Sequence, residues 1–351
     1  MAFFLFCLLD EVASIKLSSK LSLVSHRPAK RLVFWAIYLA VVAAVALVVL
    51  EFAARSLGLG QPIIYYTAAI GGMRPLPGQQ SVRLKGATVT IDDNGFRSAG
   101  VPGWPALRIL YLGDSVTWGG SAIDDSELFS EVSADALRRA GMSVYAMNAG
   151  VNGSSLANQS ELFDLYHDSV DAIVWIFPWT DAIRAYLTVG YLYPATFKPR
   201  FALVEAVDHA IRVFWVPAFR KQGEPAIDFV RPATPFGHET FFDAEFERRA
   251  ERNVSAFRRS IEQAVEDDIP ILVGVTPYFT ERRIQDLPPD AQLILTEVKK
   301  LGASTLDLNS ILSASQPESV FIDHVHYAAV GHKLVGEAIG DTLSYWFQVR
   351  P

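Results

Sequence analysis

Cysteine is nearly absent from this chain. Cys7 is the one such residue in 351, so no intramolecular disulfide can staple the fold. Charge is sparse too, at 20% against 50% hydrophobic residues, a balance that excludes general disorder. There is no basic excess: 31 Lys and Arg face 38 Asp and Glu, for a net charge of −7. Nucleic acid is therefore excluded as a partner, because its phosphates demand a basic footprint. Internal repeats and low-complexity segments are missing as well, which rules out solenoid arrays.

What the chain does have is one long uncharged run, LVFWAIYLAVVAAVALVVL at 32–50, nineteen residues. That is about the length a helix needs to cross a ~30 Å hydrocarbon core. Lys30 and Arg31 flank it on one side and Glu51 on the other, which argues against a buried core helix. Residues 1–50 carry a net charge of +3 (Lys16, Lys20, Arg27, Lys30 and Arg31 against Asp10 and Glu11), which leaves −10 for residues 51–351. The positive-inside rule then sets residues 1–30 in the cytoplasm, 31–51 in the plasma (inner) membrane and the rest in the extracytoplasmic or periplasmic space. No small-residue cleavage site follows the run, so it reads as an uncleaved anchor.

Residues 52–105 mix Gly and Pro with short β-type runs at 63–66, 82–84 and 87–91, and the turn signal Asp92-Asp93-Asn94-Gly95. They predict an extended lead-in or hairpin rather than a separate domain. From 106 the chain alternates. Strands are expected at 108–112, 144–147, 172–177, 271–275 and 305–308. Helices are expected at 126–140 (N-cap Ser126), 156–166, 243–266, 290–301 and 328–346, the last with Leu334, Ala338 and Trp346 inward. Such alternation predicts an α/β fold, a parallel sheet covered on both faces. The rhythm fails at about 182–242, which is rich in aromatics (Tyr186, Tyr191, Tyr193, Phe197, Phe201, Phe214, Trp215, Phe219) and holds an amphipathic run at 203–214. This is a packed insertion, or a lid or membrane-facing patch.

Three loops follow strands: Gly113-Asp114-Ser115, then 148–153 (NAGVNG), then Pro178-Trp179-Thr180-Asp181. In an open α/β sheet such loops converge at the carboxyl ends of the strands, where ligands bind. Asp323-His324-Val325-His326 precedes the last helix and completes the order Ser…Asp…His. A serine hydroxyl is a weak nucleophile until an imidazole takes its proton, and a carboxylate must orient that imidazole. Ser115, His326 and Asp323 supply those three groups. The N–H groups of Ser115 and Gly153 are candidate oxyanion donors. Thr117 stands where G-x-S-x-G would need its second glycine, which argues against the α/β-hydrolase elbow.

GDSVTWG (113–119), NAGVNG (148–153), PWTD (178–181) and DHVHYAAVGH (323–332) together resemble the four blocks of the SGNH, or GDSL, hydrolase superfamily. Asn94-Gly95-Phe96-Arg97 ahead of the first block is similar to a membrane-anchored bacterial subgroup. The resemblance covers about residues 107–347, apart from the insertion. It implies a flavodoxin-like three-layer α/β/α sandwich and an esterase, lipase, carbohydrate deacetylase or acyltransferase. By position it makes Ser115 the nucleophile, His326 the base and Asp323 its orienting carboxylate, with Ser115 and Gly153 as oxyanion donors. The third block departs: Thr180 stands where the family has Asn, so a shorter hydroxyl replaces an amide donor. Asn152 is another candidate donor.

Asp114, Trp118, Asn152 and Trp179 are candidate substrate contacts; for the two tryptophans core packing is the default and sugar or acyl stacking the sharper reading. Arg97 either binds an anion or anchors the lead-in. His324 and His326 form an H-x-H pair without a third ligand, so no metal and no cofactor are expected. His332 is expected to pack against or cap the last helix. The functional expectation is hydrolysis of an extracytoplasmic acyl ester, borne by a cell-envelope glycan or a lipid-linked substrate, through an acyl-Ser115 intermediate. Two alternatives stay open: O-acyl transfer to a glycan, and non-catalytic glycan binding with a degenerate oxyanion hole.

Overall fold

Three strands are buried at every residue: β6 (Val144–Asn148), β7 (Ala172–Pro178) and β8 (Ile271–Thr276). Continuous apolar runs of this kind belong to parallel strands covered on both faces. A computed structural model of the chain describes residues 27–83, 86–100, 107–187, 197–211 and 244–349. Within it, β5 (Leu107–Gly113) pairs in parallel with both β6 and β7, and β7 pairs with β8. β9 (Phe279–Thr280) and β10 (Arg283–Ile284) form a separate hairpin, and the two-residue β11 (Ser304–Thr305) completes the sheet beside β8. The order β11-β8-β7-β5-β6 is the flavodoxin-like order, with its switch point at β5.

The period-two alternation of the strands divides the core. Leu110, Leu112, Tyr145, Met147, Ile173, Trp175 and Phe177 face one layer, with Leu162 and Phe163 of α4 (Leu156–Tyr166), Phe257 and Ile261 of α6 (Ala244–Glu266) and Val298 of α7 (Pro289–Lys300). Ile109, Tyr111, Ala146, Val174, Ile176 and Leu272 face the other layer, with Phe129 and Leu137 of α3 (Phe129–Arg139) and Val335, Ile339 and Leu343 of α10 (Ala329–Val349). The predicted sandwich is therefore present.

Some details differ from expectation. The fully buried side chains of α10 are Val335, Ile339 and Leu343; of the residues expected inward, Leu334 and Trp346 pack half-buried against the same core and Ala338 is half-buried. The cause is close packing on α3. Gly336 and Gly340 meet Val132 and Ala136 so closely that a Cβ would lie 2.6 and 2.8 Å from their side chains, so this glycine face of the helix is turned to α3. Asp124, not Ser126, caps the stretch before α3. The expected strand at 305–308 is cut short because Asp307 caps a short helix, α8 (Leu308–Leu312).

The lead-in forms two antiparallel hairpins, β1 (Tyr65–Thr67) with β2 (Met73–Pro75) and β3 (Gln79–Val82) with β4 (Thr88–Ile91). Their small core joins Ile63, Tyr65, Met73, Val89 and Ile91 to Trp118 and Val151, so the lead-in backs the site loops. Arg97 settles as the anchor rather than an anion binder. It is fully buried, pairs with Asp125 at 2.9 Å and donates to the carbonyls of Trp118, Gly120 and Ile123 at 2.6 Å each.

The chain divides into two units, 1–50 and 51–351. The first contributes most of α1 (Arg27–Ser56), whose segment Lys30–Ser56 is long and apolar enough to cross a membrane, with its large side chains exposed. The tail at 1–26, Pro102 and Pro105, and Tyr191, Tyr193, Phe214, Trp215 and Phe219 of the insertion lie outside the described residues.

Candidate active site

The loop at the end of β5 begins with a glycine that has no substitute. A Cβ on Gly113 would sit 2.1 Å from both the Ile176 carbonyl and Thr117 Oγ1. Asp114 then caps the one-turn helix α2 (Ser115–Trp118) by accepting the Val116 N–H at 2.9 Å. Thr117, the residue that breaks G-x-S-x-G, donates its hydroxyl to Ile176 at 2.8 Å and so ties the turn to β7. Ser115 is left half-exposed at the carboxyl end of the sheet, beside the switch point.

The loop before α10 reaches it from the other side. An antiparallel bridge between Phe321 and Tyr327 and the Ile322 N–H bond to the His326 carbonyl (2.8 Å) close the segment between them. Asp323 and His326 therefore project the same way. The Tyr327 and Thr276 hydroxyls bond to each other and pin this loop to the end of β8. His326 Nε2 lies 2.7 Å from Ser115 Oγ, and His326 Nδ1 lies 2.7 Å from Asp323 Oδ2. Asp323 Oδ1 accepts the Val325 and His326 N–H groups at 2.9 and 2.8 Å.

Those bonds fix the charges. Partial burial raises the Asp323 pKa, but the His326 ring and the two N–H groups outweigh it and hold the carboxyl well below the usual range. Burial lowers the His326 pKa, yet the Asp323 hydrogen bond and charge leave it above the ordinary 6.5. An ionised Asp323 accepts the Nδ1 hydrogen, which leaves the Nε2 lone pair for the serine hydroxyl. The same hydroxyl lies 3.2 Å from Asp114 Oδ2, a longer alternative acceptor.

The loop after β7 departs from expectation. Thr180 Oγ1 lies 2.8 Å from the Tyr278 hydroxyl, on the loop that follows β8. Burial raises the Tyr278 pKa and so keeps the phenol neutral, and its ring stacks on His324 at 5.9 Å and 6°. Asp181 is fully buried. It accepts from Gln159 at 2.7 Å and pairs at 2.8 Å with Arg184, whose guanidinium also reaches Asp114 at 2.7 Å. Burial and then the Asp114 charge push the Asp181 pKa well up, against the pull of Arg184. Asn253 on α6 donates to the carbonyls of Asp181, Ala182 and Arg184, so the loop is held from beneath. Arg184 and Tyr278 were missed in the sequence. The signal for Tyr278 was available, because its loop also follows a strand of the parallel sheet.

The N–H groups of Ser115 and Gly153 bond to no other group among the described residues. Two expected substrate contacts are corrected. Trp118 is 1% exposed, packed against Tyr65 and beneath Arg97 in the lead-in core. Asp114 is fully buried, its carboxylate taken up by Val116, Ser115 and Arg184. Trp179 and Asn152 are half-exposed, and Trp179 Nε1 and Asn152 Oδ1 are buried without a partner among the described residues. His332 packs as expected: it is buried, accepts the Phe129 N–H at 3.3 Å, and has its pKa pushed down by burial to about 3.

No protein-family model matches the chain, and no curated protein matches it. Solved structures similar to it include a member of the lipolytic protein G-D-S-L family from Veillonella parvula, 12% identical, which covers 68% of this chain and 99% of its own at a TM-score of 0.37. A lipase/acylhydrolase from Enterococcus faecalis is 15% identical over 68% of this chain and 95% of its own, with a TM-score of 0.40. An acetylxylan esterase from Geobacillus stearothermophilus is 12% identical over 67% and 92%, with a TM-score of 0.37. Lipolytic G-D-S-L proteins and acetylxylan esterases are thus among its structural neighbours.

Proposed function

We propose that the chain is a serine-dependent esterase or deacetylase of the SGNH type. Residues 31–51 anchor it in the plasma membrane, and it acts outside the cytoplasm on an acyl ester of a cell-envelope glycan or a lipid-linked substrate. The observation that carries the chemistry is the continuous line Asp323–His326–Ser115, with both hydrogen bonds at 2.7 Å. His326 Nε2 takes the Ser115 proton as Oγ attacks the ester carbonyl, and Asp323 stabilises the imidazolium that results. The tetrahedral oxyanion meets the N–H groups of Ser115 and Gly153. With Tyr278 as the donor in its bond to Thr180 Oγ1, the Thr180 hydroxyl hydrogen is left to serve as the third donor. Collapse breaks the ester C–O bond, and the leaving alkoxide takes the proton from His326. Water then repeats the sequence on the acyl-serine, releases the acid and restores the hydroxyl. Trp179 and Asn152, both half-exposed, are the candidate substrate contacts that remain.

The test is fluorophosphonate labelling of the detergent-solubilised full chain beside Ser115→Ala and His326→Ala. Labelling of the unsubstituted chain alone is the expected result. A folded chain that takes no label would overturn the esterase reading in favour of glycan binding.

A further inference from the structure

Away from the cleft, exposed apolar side chains gather rather than scatter. Phe197, Phe201, Val204, Val207 and Ile211 are all exposed, Phe197 by 65% and Val207 by 55%. The last three lie on or at the end of α5 (Ala202–Ala210), where three- and four-residue spacings put them on one strip. The opposite side of α5 is occupied. Ala202 is fully buried, and Glu205 pairs with Arg83 at 2.6 Å and accepts the Gly60 N–H at 2.6 Å. The start of the helix is tied to Glu51, which accepts the Ala202 and Leu203 N–H groups at 2.9 and 3.0 Å. Arg55 pairs with Glu51 at 2.7 Å and donates to the Arg200 carbonyl at 3.2 Å.

Glu51 is the residue that ends the uncharged run at 32–50. Phe52 and Leu57, just beyond it, are exposed at 69% and 62%, and Lys198 and Arg200 beside the start of α5 are exposed too. We propose that the apolar strip of α5 lies in the interfacial layer of the same bilayer that residues 32–50 cross, so that the body is held to the membrane at two points. This rests on the reading of 32–50 as a span. If Leu50 ends in hydrocarbon, Glu51 marks the boundary, and a helix hydrogen-bonded to its carboxylate lies within about one helix diameter (~10 Å) of that boundary. An amphipathic helix there buries its apolar face about 5–10 Å into the headgroup layer. Lys198 and Arg200 extend their stems along that face and reach lipid phosphates.

Site-directed spin labelling of the full chain tests this. In a Cys7→Ser background, a nitroxide is placed singly at Val42→Cys, Val207→Cys and Leu293→Cys, and each protein is reconstituted into phosphatidylethanolamine/phosphatidylglycerol vesicles. Leu293, on α7 and 59% exposed, is the aqueous reference. The expected result is an oxygen-to-nickel-chelate accessibility ratio several-fold higher at positions 42 and 207 than at 293. A label at 207 that behaves like 293 while 42 reads as lipid would overturn the α5 attachment alone. A label at 207 shielded from both reagents would overturn it as well, because protein would then cover the strip. A nickel-accessible label at 42 would overturn the span, and the attachment with it.

Discussion

Asp323 and Asp181 sit on loops at the same end of the same sheet, and their surroundings give them opposite properties. Asp323 keeps 44% of its side chain exposed and is held ionised by the His326 ring and two N–H groups within three residues of it. Asp181 is wholly buried, its pKa raised by desolvation and by Asp114, and it depends on Gln159 and Arg184. One carboxylate is organised by its own turn for use. The other is held by Arg184 three residues on and by Gln159 from a separate segment, in a loop fixed in place. The same residue type thus divides into a site part that tolerates solvent and a supporting part that does not.

Substitutions at the two positions should separate activity from stability. Asp323→Asn keeps the size of the side chain but cannot stabilise the imidazolium, and it favours the wrong His326 tautomer. Ester turnover should fall about 10⁴-fold while the melting temperature barely moves. A loss of a few-fold would mean that Asp323 only positions the ring. Arg184→Met should do the reverse. It leaves Asp114 and Asp181 facing each other without their shared cation, at a cost on the order of 3–5 kcal/mol of stability. Thermal unfolding checks this, and adding Asp181→Asn should recover part of the loss, because it removes one of the like charges.

The contrast also explains what was legible in the sequence. The Asp-x-x-His loop is local, so spacing alone placed Asp323 and His326 together. Ser115 followed from a turn that could only lie at the carboxyl end of a strand. The parallel sheet could be expected because β5 to β8 alternate with helices, whereas its flavodoxin-like order was implied only by the resemblance of the four blocks. Most of the support for the third loop was not legible, since it draws on residues 114, 159, 253 and 278, whose proximity exists only after folding; Arg184, three residues after Asp181, is the local exception. Trp118 shows the same limit. Beside the nucleophile in sequence, it points through the turn into the lead-in core, a direction set by Tyr65 and Arg97. The most buried face of α10 was misread because glycines that admit a neighbouring helix carry no hydrophobic signal.

Thr180 joins the two parts, being both next to Asp181 and bonded to Tyr278. Thr180→Val preserves shape but removes the hydroxyl, and kcat should fall about 10²-fold with KM little changed if that hydroxyl stabilises the oxyanion. Equal turnover in Thr180→Val would assign the hole to the backbone N–H groups alone. Tyr278→Phe tests the same bond from the far side and should cost less, since Thr180 keeps its own donor hydrogen.

The smallest effect is a shift in pH dependence. His326 must be neutral to accept the Ser115 proton, and its pKa is raised above 6.5 through Asp323, so kcat/KM should rise with pH along an acid limb whose midpoint lies above 6.5. Below that midpoint the imidazolium Nε2–H donates to Ser115 Oγ, and Asp114 Oδ2, 3.2 Å away, is the alternative acceptor for the serine hydroxyl. Asp323→Asn removes the charge that raises the His326 pKa, so the acid limb of its residual activity should move to lower pH. Arg184 has the opposite sign, because its cation lowers the His326 pKa. Arg184→Met should therefore move the limb upward, provided the variant is assayed below its melting temperature. Opposite displacements in the two variants would show that one imidazole senses both carboxylate systems, and displacement in the same direction would show that it does not.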